Sequence, residues 1–262
     1  MCFLDNMLAN VIYCLSKGYR PIVNVSNSED KINLWEQFLL QPYSEGSDNS
    51  PQIEGGRYTE CDVEQALFYK PIFPTEQDVR KYSKIYHSFV IPNLKTKHYF
   101  EEEYNSILKG KKTIGVLCRG TDYTGNKPKG HPVQPEVEEI ISLVERKIDE
   151  LGLDYIYLAT DEKKTLDTFV NIFGEKVLTN KRNYYDEFYK IKEKIGEETR
   201  ISAVHFERKN DNYFKSLEYF SSVMLLARCD ALIGGNCGGS RSALYLNDGK
   251  YIYWHLFNLG LY

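Results

Sequence analysis

"TIGVLCRGTDY", residues 113–123, is the stretch that decides the fold. Its first six residues are apolar or small, as is typical of a buried strand, and the run then stops at Arg119. Gly120 follows and permits a tight turn. A permanent cation with a planar, forked guanidinium at such a strand end suits the oxygens of a phosphate group. The stretch therefore predicts a strand that delivers Arg119 to a binding edge.

Strand and helix patterns alternate after this stretch. We predict further strands at "DYIYLAT" (154–160), "KVLT" (176–179), "ALIGG" (231–235) and "YIYWHLF" (251–257). Helical patterns lie between them, over 135–152, 162–174, 213–227 and 238–246. This order predicts an α/β fold with a parallel sheet and helices on both faces.

The first part of the chain is less regular. It predicts a helix from about residue 5, a strand at "RPIVNV" (20–25), and helices over 29–40, 75–89 and 94–108. We divide the chain into an N-terminal α/β domain, 1–110, and a C-terminal Rossmann-like domain, 111–262. No full strand pattern precedes the first helix, so the first strand of the N-terminal domain is expected to be short or missing.

Composition excludes several classes of protein. The chain has 262 residues, of which 42% are hydrophobic and 27% charged, as in ordinary soluble proteins. Its 37 acidic and 33 basic residues give a net charge of -4, which argues against a general nucleic-acid binder. Six scattered cysteines without C-x-x-C spacing favour a reducing compartment, and we expect a cytoplasmic protein. No apolar run is long enough to span a membrane, which leaves peripheral association open.

Three predicted strand ends carry unusual chemistry, and ligands of open parallel sheets bind beyond the carboxyl ends of the strands. The first end, at Arg119, offers a forked cation. The second end, at Asp161 and Glu162, offers carboxylates that accept hydrogen bonds from ribose or base donors. The third end, at residues 238–242, offers a helix N-terminus that favours anions. Together they predict a site for a nucleoside diphosphate. The candidate donor-binding residues are Arg119, Gly120, Thr121, Asp161, Glu162, Gly238, Gly239, Ser240, Arg241 and Ser242.

Each feature alone has an ordinary structural explanation. Arg119 is a natural ion-pair partner for Asp122, Asp161 suits the cap of the helix that follows, and glycines before a helix are common turn residues. The glycine-rich stretch 234–239 lacks the lysine of a Walker A loop and the spacing of a dinucleotide fingerprint. A phosphatase of the haloacid-dehalogenase type needs Asp-x-Asp on its first strand, and the chain contains none.

Three segments together resemble a known family. "IGVLCRGTDY" (114–123), "YIYLATDE" (155–162) and "LARCDALIGGNCGGSRSALYL" (226–246) resemble, in order and register, the C-terminal half of the GT-B fucosyltransferases. The likeness is to the α1,6- and protein O-fucosyltransferases, and more distantly to bacterial α1,2-fucosyltransferases. "FLDNMLANVIYCLSKGYRPIV" (3–23) is also similar to their first helix and strand. Residues 43–110 carry no such resemblance.

The resemblance implies two Rossmann-like domains facing across a cleft, with the acceptor on the N-terminal side. It implies inverting transfer from GDP-fucose to a glycan, with no metal and no cofactor. In this family Arg119 would bind the donor diphosphate and Asp161 the nucleoside, while Ser240 and Ser242 fall near the phosphate turn. Asp122 and His131 are our candidates for the base that takes the acceptor proton, with Glu162 a weaker one.

Two positions depart from the family pattern. Leu117 stands where the family has a histidine near the nucleotide, and Gly120 stands where many members have a second arginine. These departures keep two alternatives open. One is a nucleotide-sugar-binding protein of the same fold that has lost catalysis, and the other is a glycosyltransferase that uses a different nucleotide sugar.

Overall fold

The computed structural model describes residues 2–25, 32–43, 71–196 and 199–262. The chain divides into two compact units, Met1–Tyr99 and Phe100–Tyr262. Part of the first unit lies outside the described residues, so the predicted N-terminal α/β domain, with its short or missing first strand, stays a prediction.

Helices and strands alternate along the second unit, as the sequence predicts. The helices of the described residues are α1 Cys2–Ser16, α2 Glu76–Phe89, α3 Leu94–Ile107, α4 Asp122–Asn126, α5 Val137–Glu150, α6 Lys163–Phe173, α7 Glu187–Ile195, α8 Asp211–Leu226 and α9 Gly238–Leu246. The strands are β1 Thr113–Cys118, β2 Tyr155–Thr160, β3 Val177–Leu178, β4 Ala231–Gly235 and β5 Tyr253–Phe257. The five predicted strands of the C-terminal half are thus confirmed, as are the four helices predicted between them.

Within its described residues, the first unit departs from the sequence prediction at two places. Residues 20–25 form no strand, and 32–40 form turns rather than the second half of a helix. Side chains explain the missing strand. Asn33 Oδ1 accepts from the backbone N–H of Val25 at 3.1 Å, and Gln41 Oε1 accepts from that of Val23 at 2.9 Å. Backbone groups that a strand partner would bind are therefore bound by amide side chains, which compete with regular secondary structure.

The second unit is built on one parallel sheet with the strand order β3-β2-β1-β4-β5. β1 is central, and Leu117 pairs with Ala159 of β2 on one side and with Gly234 of β4 on the other. Alternate side chains of these strands pack beneath α5 and α6. The core of this face includes Ile114, Val116, Ile140, Val144, Ile156, Leu158, Phe169 and Ile233.

Helices also cover the opposite face of the sheet. Gly115 of β1 lies against the end of α8, so close that a Cβ on it would stand 3.1 Å from Leu226 Cδ2. Leu117 packs in the same way against the start of α9 at Gly239. The α/β class, with a parallel sheet between helices, is confirmed. Because β1, β2 and β4 run side by side in one direction, their carboxyl ends meet at one edge.

Candidate functional site

Arg119 leaves the end of β1 and is held by two carboxylates. Its Nη2 donates to Asp122 Oδ1 at 2.8 Å, and its Nη1 forms an ion pair with Asp161, which follows β2. The Arg119 side chain is only 13% exposed. Burial alone would lower the pKa of this guanidinium, but the charges of Asp161 and Asp122 outweigh it and raise the pKa. Arg119 is therefore a fixed, permanently charged group at the sheet edge.

The turn after Arg119 is strained. Thr121 has a φ of 48°, a region that β-branched residues rarely occupy. Two bonds hold it there: its N–H donates to Glu162 Oε1 at 3.0 Å and its hydroxyl to Asp161 Oδ2 at 2.8 Å. Such strain persists only where the surroundings impose it, and it is concentrated at functional sites.

Asp161 and Glu162 are almost fully buried, at 3% and 4% exposure. Asp161 accepts from Arg119, from the hydroxyl of Thr121 and from the N–H of Gly120 at 2.9 Å. Glu162 accepts from protein donors on three sides, namely the Thr121 N–H, the Thr165 hydroxyl and the Tyr189 hydroxyl. Both carboxylates thus hold the turn of β1 in place. Their contact with a nucleoside stays a prediction.

The third strand end forms the start of α9. The Ser240 hydroxyl donates to the carbonyl of Gly235 at 2.8 Å and accepts from the N–H of Cys237, so it caps the helix. The Ser242 hydroxyl donates to the carbonyl of Gly238 at 2.7 Å. Arg241 Nη1 donates to Asn236 Oδ1 at 2.8 Å. The serine side chains therefore serve the local backbone, and the backbone N–H groups of the first helical turn remain the feature suited to an anion.

A pocket opens between the ends of β1 and β2 and the side of α8. It is lined by Leu117, Cys118, Arg119, Ala159, Thr160, Asp161, Arg182, Tyr219 and Ser222. Three of these were predicted from the sequence to lie at or near the site, namely Leu117, Arg119 and Asp161. The pocket wall at Leu117, where the family has a histidine, is apolar.

The sequence analysis missed Arg182 and Tyr219. Arg182 lies four residues after β3, so the rule that places ligands at strand ends would have included it. Tyr219 lies in the middle of α8, and its hydroxyl sits so close to Gly239 that a Cβ there would stand 2.5 Å from it. No local pattern marks Tyr219, because its position depends on how α8 packs across the sheet.

His131 reaches the same region through Tyr123. Its Nδ1 lies 3.3 Å from the Tyr123 hydroxyl, and the two rings meet edge to face. The Arg119 guanidinium lies over the same Tyr123 ring, 5.2 Å from its centroid. Both base candidates, Asp122 and His131, are thus brought to the neighbourhood of Arg119.

The described ranges lack two other kinds of feature. No group of three or more His, Cys, Asp or Glu side chains in these ranges is placed to hold a metal ion. No helix found there combines the length and apolar character that crossing a bilayer requires.

Comparison with known proteins finds similarity in structure but not in sequence. No family model and no curated protein matches the sequence. The fucosyltransferase NodZ from Bradyrhizobium aligns with a TM-score of 0.52 at 13% identity, covering 92% of this chain and 86% of that one. POFUT1 in complex with GDP aligns with a TM-score of 0.42 at 11% identity, and POFUT1 in complex with GDP-fucose with 0.42 at 10%. These alignments cover 71% and 70% of this chain but only 53% and 50% of the POFUT1 chains. The NodZ alignment shows that the chain shares the fold of a GT-B fucosyltransferase.

Proposed function

We propose that the protein is a glycosyltransferase that transfers fucose from GDP-fucose to a glycan acceptor, with inversion and without a metal ion. The observation that carries this proposal is the way in which the Arg119 side chain is held in position. Asp161 and Asp122 fix its guanidinium at the carboxyl end of the central strand. The neighbouring strand, β4, leads directly into the N-terminus of α9. The shared fold with NodZ supports the same assignment.

The chemistry asked of Arg119 follows from the reaction. As the bond between the sugar C1 and the phosphate oxygen breaks, positive charge develops on the sugar and negative charge on the departing diphosphate, by analogy with glycoside hydrolysis. A cation held in place beforehand stabilises that growing negative charge more than it stabilises the bound donor. The backbone N–H groups of Gly238 and Gly239, at the start of α9, would add to the same effect.

The acceptor hydroxyl must lose a proton as it attacks C1. Asp122 is one candidate base, since its side chain is 23% exposed and Arg119 occupies only one of its oxygens at hydrogen-bond distance. His131 is the other, held near the site by Tyr123. The pH dependence of turnover in Asp122→Asn and His131→Gln variants would identify the base, because only its loss should remove the acidic limb of the profile.

Two observations favour the alternatives. Arg119 already carries two carboxylates, which weakens the stabilisation that it can give to the charge of a departing diphosphate and favours a binding protein without catalysis. Leu117 forms an apolar wall where the family has a histidine, which favours a donor with another base or sugar. We also place the protein in the cytoplasm, a proposal that fits the free thiols of Cys14, Cys118, Cys229 and Cys237.

The test is a matrix of sugar nucleotides against a glycan acceptor array, with products detected by mass. Consumption of GDP-fucose with a fucosylated product is the expected result. Consumption of a different sugar nucleotide would keep the proposed reaction class but change the donor. Tight binding of a nucleotide sugar without transfer or hydrolysis would establish the binding protein instead.

A further inference from the structure

The charge balance around Arg119 is unfavourable for the ligand proposed above. Its two terminal nitrogens face Asp122 and Asp161, so this cluster holds one cation and two carboxylates. Asp161 is 3% exposed and cannot be screened by solvent as a surface acid would be. A diphosphate that approached Arg119 alone would meet a net negative cluster. The pocket therefore needs a second cation.

Gly120 does not leave room for that cation at the position where related enzymes carry a second arginine. A Cβ on Gly120 would stand 2.6 Å from Glu162 Oε1, with the rest of the carboxyl group closer still. Any side chain at residue 120 would displace a buried carboxylate. The second cation must come from another element.

Arg182 lines the same pocket as Arg119. Its Nη1 donates to the Ser222 hydroxyl at 3.3 Å, its guanidinium lies 5.9 Å from the Tyr184 ring, and its buried Nε has no hydrogen-bond partner. Among the described residues, no carboxylate forms an ion pair with it. Glu218, one helical turn before Ser222 on α8, is instead engaged by Arg208 through both of its oxygens. No ion pair among the described residues therefore offsets the charge of Arg182, and its Nε remains available as a donor.

The loop that carries Arg182 is fixed to the sheet and to α8. Asn180, only 2% exposed, accepts from the Tyr157 hydroxyl at 3.1 Å and donates to the Glu218 carbonyl at 3.0 Å. On the other side of Arg182, the Asn183 N–H donates to Glu218 Oε2 at 3.4 Å. A cation between two anchored residues is preorganised, so little conformational entropy is lost when it binds an anion.

We infer that Arg182 is the second cation of the site and binds the diphosphate of a nucleoside diphosphate donor, together with Arg119. The inference rests on the proposed function. It assigns to the loop after β3 the role that the residue after Arg119 cannot fill.

Titration calorimetry of GDP, GMP and inorganic pyrophosphate tests this inference in the wild type and three variants. Arg182→Gln removes the charge and the fork. Arg182→Lys keeps the charge alone. Lys181→Gln removes the same charge from the adjacent, exposed residue and is the matched control. Thermal unfolding of each variant confirms that it is folded.

We expect Arg182→Gln to weaken GDP and pyrophosphate binding by about tenfold or more, and GMP binding by less. Arg182→Lys should recover part of the loss, and Lys181→Gln should change affinity by less than about threefold. If folded Arg182→Gln binds GDP as tightly as the wild type, the inference alone is overturned. The same holds if Lys181→Gln loses as much affinity as Arg182→Gln. Failure of the wild type to bind GDP or any sugar nucleotide would overturn the proposed function, and the inference with it.

Discussion

Replacing Gly120 by alanine should destabilise the protein although it adds a single methyl group. The φ of Gly120 is not positive, so the backbone accepts alanine, and the cost arises from Glu162. A new Cβ would stand 2.6 Å from Glu162 Oε1, and ordinary contacts need about 3.4 Å or more. The carboxylate is 4% exposed and accepts from Thr121, Thr165 and Tyr189, so it cannot move aside without losing these bonds.

The size of the effect follows from the bonds lost. Each hydrogen bond to a charged group contributes roughly 1.5–3 kcal/mol, so losing two of the three should cost about 3–6 kcal/mol. Denaturant unfolding of Gly120→Ala would measure this free energy. Gly125→Ala in α4 is the control. The nearest atom to its new Cβ is Phe188 Cε1 at 3.3 Å, and we expect a change within about 1 kcal/mol.

A double-mutant cycle isolates the cause. In a Glu162→Ala background the carboxylate is gone, so Gly120→Ala should then cost less than about 1 kcal/mol. Equal costs of Gly120→Ala in the two backgrounds would refute the packing of Glu162 on Gly120. A wild-type-like stability of Gly120→Ala would refute it as well.

Three other outcomes are expected. GDP should bind more tightly than UDP in a calorimetric comparison, as the family resemblance implies, and a preference for UDP would overturn the donor base. Turnover should survive EDTA, because Arg119, Arg182 and the N–H groups of α9 are the groups proposed to neutralise the diphosphate; activity lost in EDTA and restored by Mg²⁺ or Mn²⁺ would contradict this. Burial, and secondarily the charge of Arg146, lowers the pKa of His255 from 6.5. The unfolded chain therefore takes up this proton first as the pH falls, and stability is lost as the pH drops below 6.5 through the lowered pKa. Between about pH 7.5 and pH 5.5 the wild type should lose more thermal stability than His255→Gln. Equal losses in the two proteins would contradict the lowered pKa of His255.

Periodicity in the second unit was enough to predict the sheet and the edge that carries the candidate site. β1, β2 and β4 each end at the residues expected, and the contact between Arg119 and Asp161 confirms that the first two ends meet. The sequence could not show how these side chains are used. Asp161 and Glu162 looked like ligand acceptors, whereas the structure gives them protein donors that depend on the fold of the β1 turn.

The parts that sequence reasoning missed depend on contacts between distant segments. Tyr219 reaches the pocket only because α8 crosses the sheet, and Arg182 only because Asn180 anchors its loop. The error at 20–25 has the same origin. The pattern there suits a strand, but Asn33 and Gln41 take the backbone groups that a strand would have paired.

The central claim is that the sheet edge at Arg119 binds the diphosphate of a nucleotide donor. Arg119→Lys is the variant that tests it, because it keeps a charge for Asp161, whereas Arg119→Ala would leave a buried carboxylate unpaired at a cost of about 3–5 kcal/mol. Calorimetric titration of GDP into the wild type should show saturable binding to one site. The folded Arg119→Lys variant should bind GDP about tenfold more weakly, since a point charge does not replace a fork. Equal affinity in the two proteins, or no saturable binding of any nucleoside diphosphate by the wild type, would contradict the claim.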